Sequence, residues 1–266
     1  PILWCKKTDT IVSNESSEII RDLNSQFNDI AGDKSLDLYP VKLRPAIDEV
    51  NEWVYHGINN GVYKCGFATS QGAYDTAVTE LFRCLDKCEE ILGRQRYIAG
   101  DALTEADVRL FPTLVRFDEV YVVYFKTNKK FIHQYPNLWN YVKDVYQTPG
   151  MRHSVNMWHI KTHYFTSHPV LNANAIVPIG PNLNLDEPHD RAGGWVDGTT
   201  RVYASLTAEK CDMSRTYSCT SATSLQSNPF SRSDSSAKCS DASVDLAASS
   251  LDPGGTLGPD HCTAAR

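Results

Sequence analysis

Several side chains in this sequence are of types and spacings that could do chemistry. In "SNESSEIIRDLN" (Ser13 to Asn24), Glu15 and Ser16 stand where a helix begins. A hydroxyl and the free N–H groups of a helix start suit a carboxylate, and a nearby Glu can receive an ammonium. The plainer reading of the same residues is N-capping, by Asn14 or Ser16. Of the eight cysteines, Cys84 and Cys88 in "CLDKC" are four residues apart, which on a helix puts both thiols on one face. No second Cys/His pair lies near them at zinc-ligand spacing, so they read as free core thiols, and no metal site is expected.

The elements that must position these groups follow from periodicity. "PILWC" suits a strand, "KKTD" a turn and "TIVS" a second strand. A helix follows, with Ile19, Leu23, Phe27 and Ile30 at helical spacing. The next stretch is nearly all helix. "LRPAIDEVNEWVYHGINNG" has Pro45 at a helix start, Ile47, Val50, Val54 and Ile58 on one stripe, and Gly61 as the expected stop. "SQGAYDTAVTELFRCLDKCEEILGRQ" carries Ala77, Leu81, Leu85, Cys88 and Leu92 in register. "LTEADVRLFPTLVRFDEVYVVYF" opens with Thr104 and Asp107, a capping box with the shorter acid, and Pro112 is expected to kink it. A last clear helix starts near Pro136 and is ended by Pro149 and Gly150. Short connections imply antiparallel neighbours in a bundle.

The chain changes character near residue 190. Beyond it, Ser, Ala, Asp, Gly and Thr dominate and large apolar residues are few, a composition that predicts a disordered tail over 192–266. The net charge of −6 argues against a nucleic-acid partner. The longest apolar run, "VYVVYF", is far short of the roughly 18 residues of a membrane span, and no signal-peptide pattern opens the chain. These features predict a cytoplasmic protein.

The motifs carry a resemblance. "SNESSEIIRDLN" looks like the helix start in the thioredoxin-like half of the glutathione transferases, and "LTEADVRLF" and "YPNLWNYV" look like two helices of their helical half. The strings "NNGVYKCGFATSQGAYDTAV", "TLVRFDEVYV", "HIKTHYFTSHP" and "IVPIGP" resemble the glutathionyl-hydroquinone reductases, the Xi class of that family. The match runs from Pro1 to about Arg191.

The resemblance implies a mainly α fold: the β-β-α second half of a thioredoxin-like domain (1–38), an all-α transferase C-terminal domain (39–168), an extension (169–191) and the tail. It implies glutathione as co-substrate, without a metal, and a homodimer. Glu15 and Ser16 would hold the γ-glutamyl end. Pro1 aligns with the family's cis-proline, so that Pro1 and Ile2 would border the glutathione. Tyr63 and Tyr164 match family tyrosines whose phenols face the reacting sulfur and the quinol oxygen. A phenol can donate to an oxyanion or a thiolate, although most of the thirteen tyrosines need be no more than amphipathic core residues. His163 and His168 flank Tyr164 and read as solvated or core residues.

The implied reaction is glutathione-dependent reduction of glutathionyl-hydroquinones by way of a cysteine mixed disulfide. In the family the nucleophile sits in a C-P-W motif at a helix N-terminus. This chain contains no "CPW", and the resemblance leads us to expect an incomplete chain that begins partway through the thioredoxin-like lobe. Cys65, after Lys64, is the best substitute; Cys5, beside Lys6 and Lys7, is the other; neither has the helix-terminus placement that depresses a thiol pKa. The rival readings are a non-catalytic transferase-like interaction module and an inactive fragment.

Overall fold

The computed structural model describes residues 1–191, and the expected disordered tail lies outside them. Strands β1 (Leu3–Cys5) and β2 (Thr10–Ser13) pair antiparallel around the Lys6–Asp9 turn, with Asp9 in the left-handed region at φ 54°. An Asp tolerates this conformation better than most residues do. Helix α1 (Ser16–Ser25) follows. Its cap is Glu15, not Asn14 or Ser16: the Glu15 carboxylate accepts from the Ser17 N–H at 3.5 Å and from its hydroxyl at 3.4 Å.

The apolar stripe expected along α1 is not buried. Leu23 is 58% exposed, and the helix ends before Phe27 and Ile30, the latter 82% exposed. Charge holds α1 to the helical domain instead. Arg21 donates to the nearly buried Glu105 (3.1 and 3.3 Å) and to Asp48 (2.7 Å), and its guanidinium lies 4.0 Å over the Tyr39 ring. Asn51 donates to the same Glu105 at 3.1 Å.

The helical domain is built from α2 (Arg44–Val54), α3 (Gly61–Gly66), α4 (Gln71–Leu92), α5 (Glu105–Arg116), the short α6 (Val122–Tyr124), α7 (Pro136–Gln147) and α8 (Met157–Ser167). The expected stripes bury as read: Ile47, Val54 and Ile58 from the first, and Leu81, Leu85, Cys88 and Leu92 from the second, are each at most 1% exposed. Ser70 caps α4 by accepting from the Ala73 N–H.

Gly61 does not stop its helix. A π turn (Tyr55–Asn59) carries the chain from α2 into α3, and Gly61 is the first residue of α3. Packing governs the neighbouring glycines. A Cβ on Gly57 would lie 2.3 Å from Cys84 Sγ, and one on Gly66 would lie 2.0 Å from the Phe125 ring. These glycines let helices approach one another.

The capping box of α5 forms as read. The buried Asp107 accepts from the Thr104 N–H (2.8 Å) and hydroxyl (3.0 Å), and also from the Ile98 N–H (2.9 Å) and the Tyr141 hydroxyl (2.8 Å). One carboxylate thereby fixes a helix start, a loop and α7. Pro112 lies inside α5, which runs on to Arg116 and into a second π turn (Phe117–Tyr121).

The extension 169–191 straps the bundle. Lys161 of α8 meets Glu119 at 3.3 Å and donates to the Ile179 and Gly180 carbonyls, while the Leu183 N–H reaches Glu119 at 2.8 Å. Lys143 and Gln147 of α7 donate to the carbonyls of Leu185, Glu187 and Pro188. The buried Arg191 donates to the carbonyls of Leu92, Gln95 and Arg96, which caps the C-terminal end of α4 with a cation from about a hundred residues away in sequence.

Candidate functional site

The Tyr63 hydroxyl lies 2.6 Å from the Tyr164 hydroxyl, so α3 and α8 bring together two side chains 101 residues apart. A third phenol completes the group: Tyr121 from the second π turn, 2.8 Å from Tyr164. Exposure grades along this chain, from Tyr63 at 38% to Tyr164 at 7% and Tyr121 at 2%.

Aromatic rings fix the three hydroxyls. Tyr121 stacks on Phe125 with centroids 5.4 Å apart and planes within 7°. Tyr164 meets both edge-on, at 86° and 82°. Phe125 also contacts Tyr63 and Phe67. Tyr63 and Phe67, four residues apart, share one face of a helix, and both stay partly in water. An exposed aromatic pair in front of a buried donor chain suits a planar ring that carries an oxygen.

The two buried phenols, Tyr164 and Tyr121, are neutral over the ordinary pH range. Burial pushes Tyr164 up to about 12, although the hydrogen bond with Tyr121 pulls it down; Tyr121 is pushed higher still, again mainly by burial. Tyr164 and Tyr121 therefore keep their protons and can donate hydrogen bonds.

Glu15 and Ser16 stand exposed at the N-terminus of α1, with Pro1 and the 64% exposed Ile2 at the entry to β1. Glu18 accepts from Ser13 at 2.8 Å, and Ser13 in turn accepts from the Glu15 N–H at 3.1 Å, which holds the loop before the helix. His168 turns its ring onto Phe67 and its carbonyl toward the Tyr124 hydroxyl. His163 lies edge-on to Tyr164 and is bonded to Ser167.

The cysteines divide differently from expectation. Cys65 is 2% exposed, and burial pushes its thiol up to about 11, so it is no substitute nucleophile. Cys5 is the thiol that is lowered, by the hydroxyl of Thr8 and then by the backbone N–H groups of Thr8 and Lys7. Cys84 and Cys88 are free and buried, as read; Cys84 donates to Glu80 at 3.4 Å. Among the described residues no cluster of three His, Cys, Asp or Glu could hold a metal ion, and no helix is long and apolar enough to cross a membrane.

Sequence reasoning missed Tyr121, Phe67 and Phe125. The i,i+4 pairs Tyr63–Phe67 and Tyr121–Phe125 were a usable signal, because each places two rings on one helix face.

Comparison with known proteins points one way. The model for the glutathione S-transferase C-terminal domain matches residues 71–144. The chain is 55% identical over 191 residues to glutathionyl-hydroquinone reductase YqjG of Escherichia coli, covering 72% of this chain and 58% of that protein. It is 50% identical to glutathionyl-hydroquinone reductase PcpF of Sphingobium chlorophenolicum over 68% of this chain and again 58% of the relative. The glutathione-bound structure of YqjG superposes with a TM-score of 0.70 at 53% identity, covering 73% of this chain and 62% of that one. The Xi transferase of Phanerochaete chrysosporium gives 0.68 at 52%, covering 71% and 62%. The chain thus spans less than two thirds of the length of these relatives.

Proposed function

We propose that this chain, which belongs to the glutathione transferase family and within it to the Xi or glutathionyl-hydroquinone reductase type, takes part in glutathione-dependent reduction of S-glutathionyl-hydroquinones. In this reading a thiolate attacks the glutathione sulfur, the hydroquinone leaves with a proton, and a second glutathione resolves the mixed disulfide. The described residues serve recognition and proton donation. Glu15 and the start of α1 at Ser16 take the ammonium and carboxylate of the γ-glutamyl unit, Pro1 and Ile2 border it, and Tyr63 and Tyr164 face the sulfur and the quinol oxygen. The buried, protonated Cys65 does not supply the attacking thiolate. A homodimer in the cytoplasm belongs to the same reading.

The observation that carries this reading is the hydroxyl contact between Tyr63 and Tyr164 at the end of an exposed aromatic pair. The test is titration of the protein with S-glutathionyl-hydroquinone, followed by tryptophan fluorescence or calorimetry. We expect binding that Tyr63→Phe and Tyr164→Phe each weaken about fivefold, the scale of one hydrogen bond, and that Glu15→Gln weakens for free glutathione as well. Binding indifferent to all three substitutions would overturn the reading and favour an interaction module. Turnover by this chain alone is expected to be far below the ordinary range of roughly 1–1000 per second.

A further inference from the structure

We infer that Tyr121 is a positioning residue for the proposed site: by donating its hydroxyl to Tyr164 it polarises a three-phenol chain and so directs the Tyr63 proton outward to the bound ligand. The inference rests on the reading of the site above and extends it to a residue that does not itself reach the ligand.

The number of protons sets the direction of the chain. Each phenol carries one proton and can accept further hydrogen bonds. Tyr121 is 2% exposed, and its hydroxyl bonds to Tyr164 at 2.8 Å. A buried donor left unmade costs more than a typical bond contributes, so the Tyr121 proton goes to the Tyr164 oxygen. Tyr164 is itself buried, and Tyr63 lies 2.6 Å away, so the Tyr164 proton goes on to Tyr63. That leaves the Tyr63 proton at the partly exposed end of the chain. Reversing the direction would strand a proton at the deepest position. Each donation also makes the next donor stronger, because hydrogen bonds in series polarise one another in a poorly solvated setting.

The fold holds this chain in place. The Tyr121 ring is stacked on Phe125, and Phe125 sits where only a glycine at position 66 allows it. Tyr121→Phe keeps the ring and deletes only the hydroxyl. Tyr124 offers a control, since its hydroxyl bonds to the His168 carbonyl, outside the chain.

The experiment has two arms. In the first, without ligand, NMR of ring-labelled tyrosine reports hydrogen bonding at each phenol. Tyr121→Phe should shift the resonances of both Tyr164 and Tyr63, whereas Tyr124→Phe should move neither. A shift confined to Tyr164, or none at all, overturns the relay. In the second arm, affinity for S-glutathionyl-hydroquinone is measured for Tyr121→Phe, Tyr164→Phe and the double variant. We expect Tyr121→Phe to weaken binding about three- to tenfold in the parent and to have no further effect once Tyr164 is Phe. An equal effect in both backgrounds assigns Tyr121 to packing and overturns the inference. The first arm uses no ligand, so a site that fails to bind the conjugate leaves the relay separately decided.

Discussion

At the scale of single residues, burial governs the chemistry. Cys65 has a lysine before it in sequence, yet its thiol faces the core and is harder to ionise than an ordinary one. Cys84 is pushed up to about 11 too, by burial and then by Glu80. As pH climbs, the unfolded chain loses these thiol protons first, near 9, and the folded chain only near 11. The stability linked to them is therefore whole below pH 9 and is lost as pH rises through about 11. We expect chemical denaturation to show a steep fall in stability across that window. Cys65→Ala should flatten it, at a cost at neutral pH of about 1–2 kcal/mol for the small void. Iodoacetamide should modify Cys5 well before Cys65; early modification of Cys65 in the folded protein would contradict this account.

At the scale of elements, the glycines show how helices with good apolar stripes still need room to meet. Gly66 lies against Phe125, whose ring forms one wall of the tyrosine group. Gly66→Ala should cost about 1–3 kcal/mol or more, because a well-packed ring must leave its place. It should also disturb Tyr63 and Tyr121, which both contact that ring. Gly72, in the first turn of α4, has nothing within 4 Å of an added Cβ. Gly72→Ala should be neutral or stabilising by up to about 1 kcal/mol, since Ala is the better helix former. Urea denaturation of the two variants compares them directly, and equal stabilities would sink the close-approach argument.

At the scale of the whole molecule, polar clamps join pieces that apolar burial alone does not. Arg21 ties α1 to Glu105, and Lys161 with Glu119 ties the strap to α8 and the second π turn. The strap clamp is buried on both sides, with side-chain exposures of 8% and 4%. Lys161→Met would leave the buried Glu119 without its cation, a loss of about 3–5 kcal/mol. Arg152 pairs with Asp186 of the same strap, but both are exposed, at 60% and 45%. Arg152→Ala should therefore cost less than about 1 kcal/mol. Limited proteolysis should cut the 179–190 segment readily in the Lys161 variant and slowly in the Arg152 variant. Equal cleavage would show that the strap is held by other contacts.

The two strands and α1, the capping box at Thr104 and Asp107, the starts at Pro45 and Pro136 and the buried stripes of α2 and α4 were legible in the sequence, whereas α3 and α8, which carry Tyr63 and Tyr164, were not. Each legible feature depends on residues within a turn or two of one another, where backbone geometry alone sets which side chains share a face. The motif strings likewise marked Tyr63 and Tyr164, but nothing local said that their hydroxyls meet. That meeting, the recruitment of Tyr121 through a π turn that no 3.6-residue template describes, and the reach of Arg191 to the end of α4 are long-range events. So is the fate of α1, where Leu23, Phe27 and Ile30 of the apolar stripe stay exposed while Arg21 pairs with Glu105 and Asp48. Periodicity specifies which face of a helix is apolar, and only the packed chain specifies what stands opposite it.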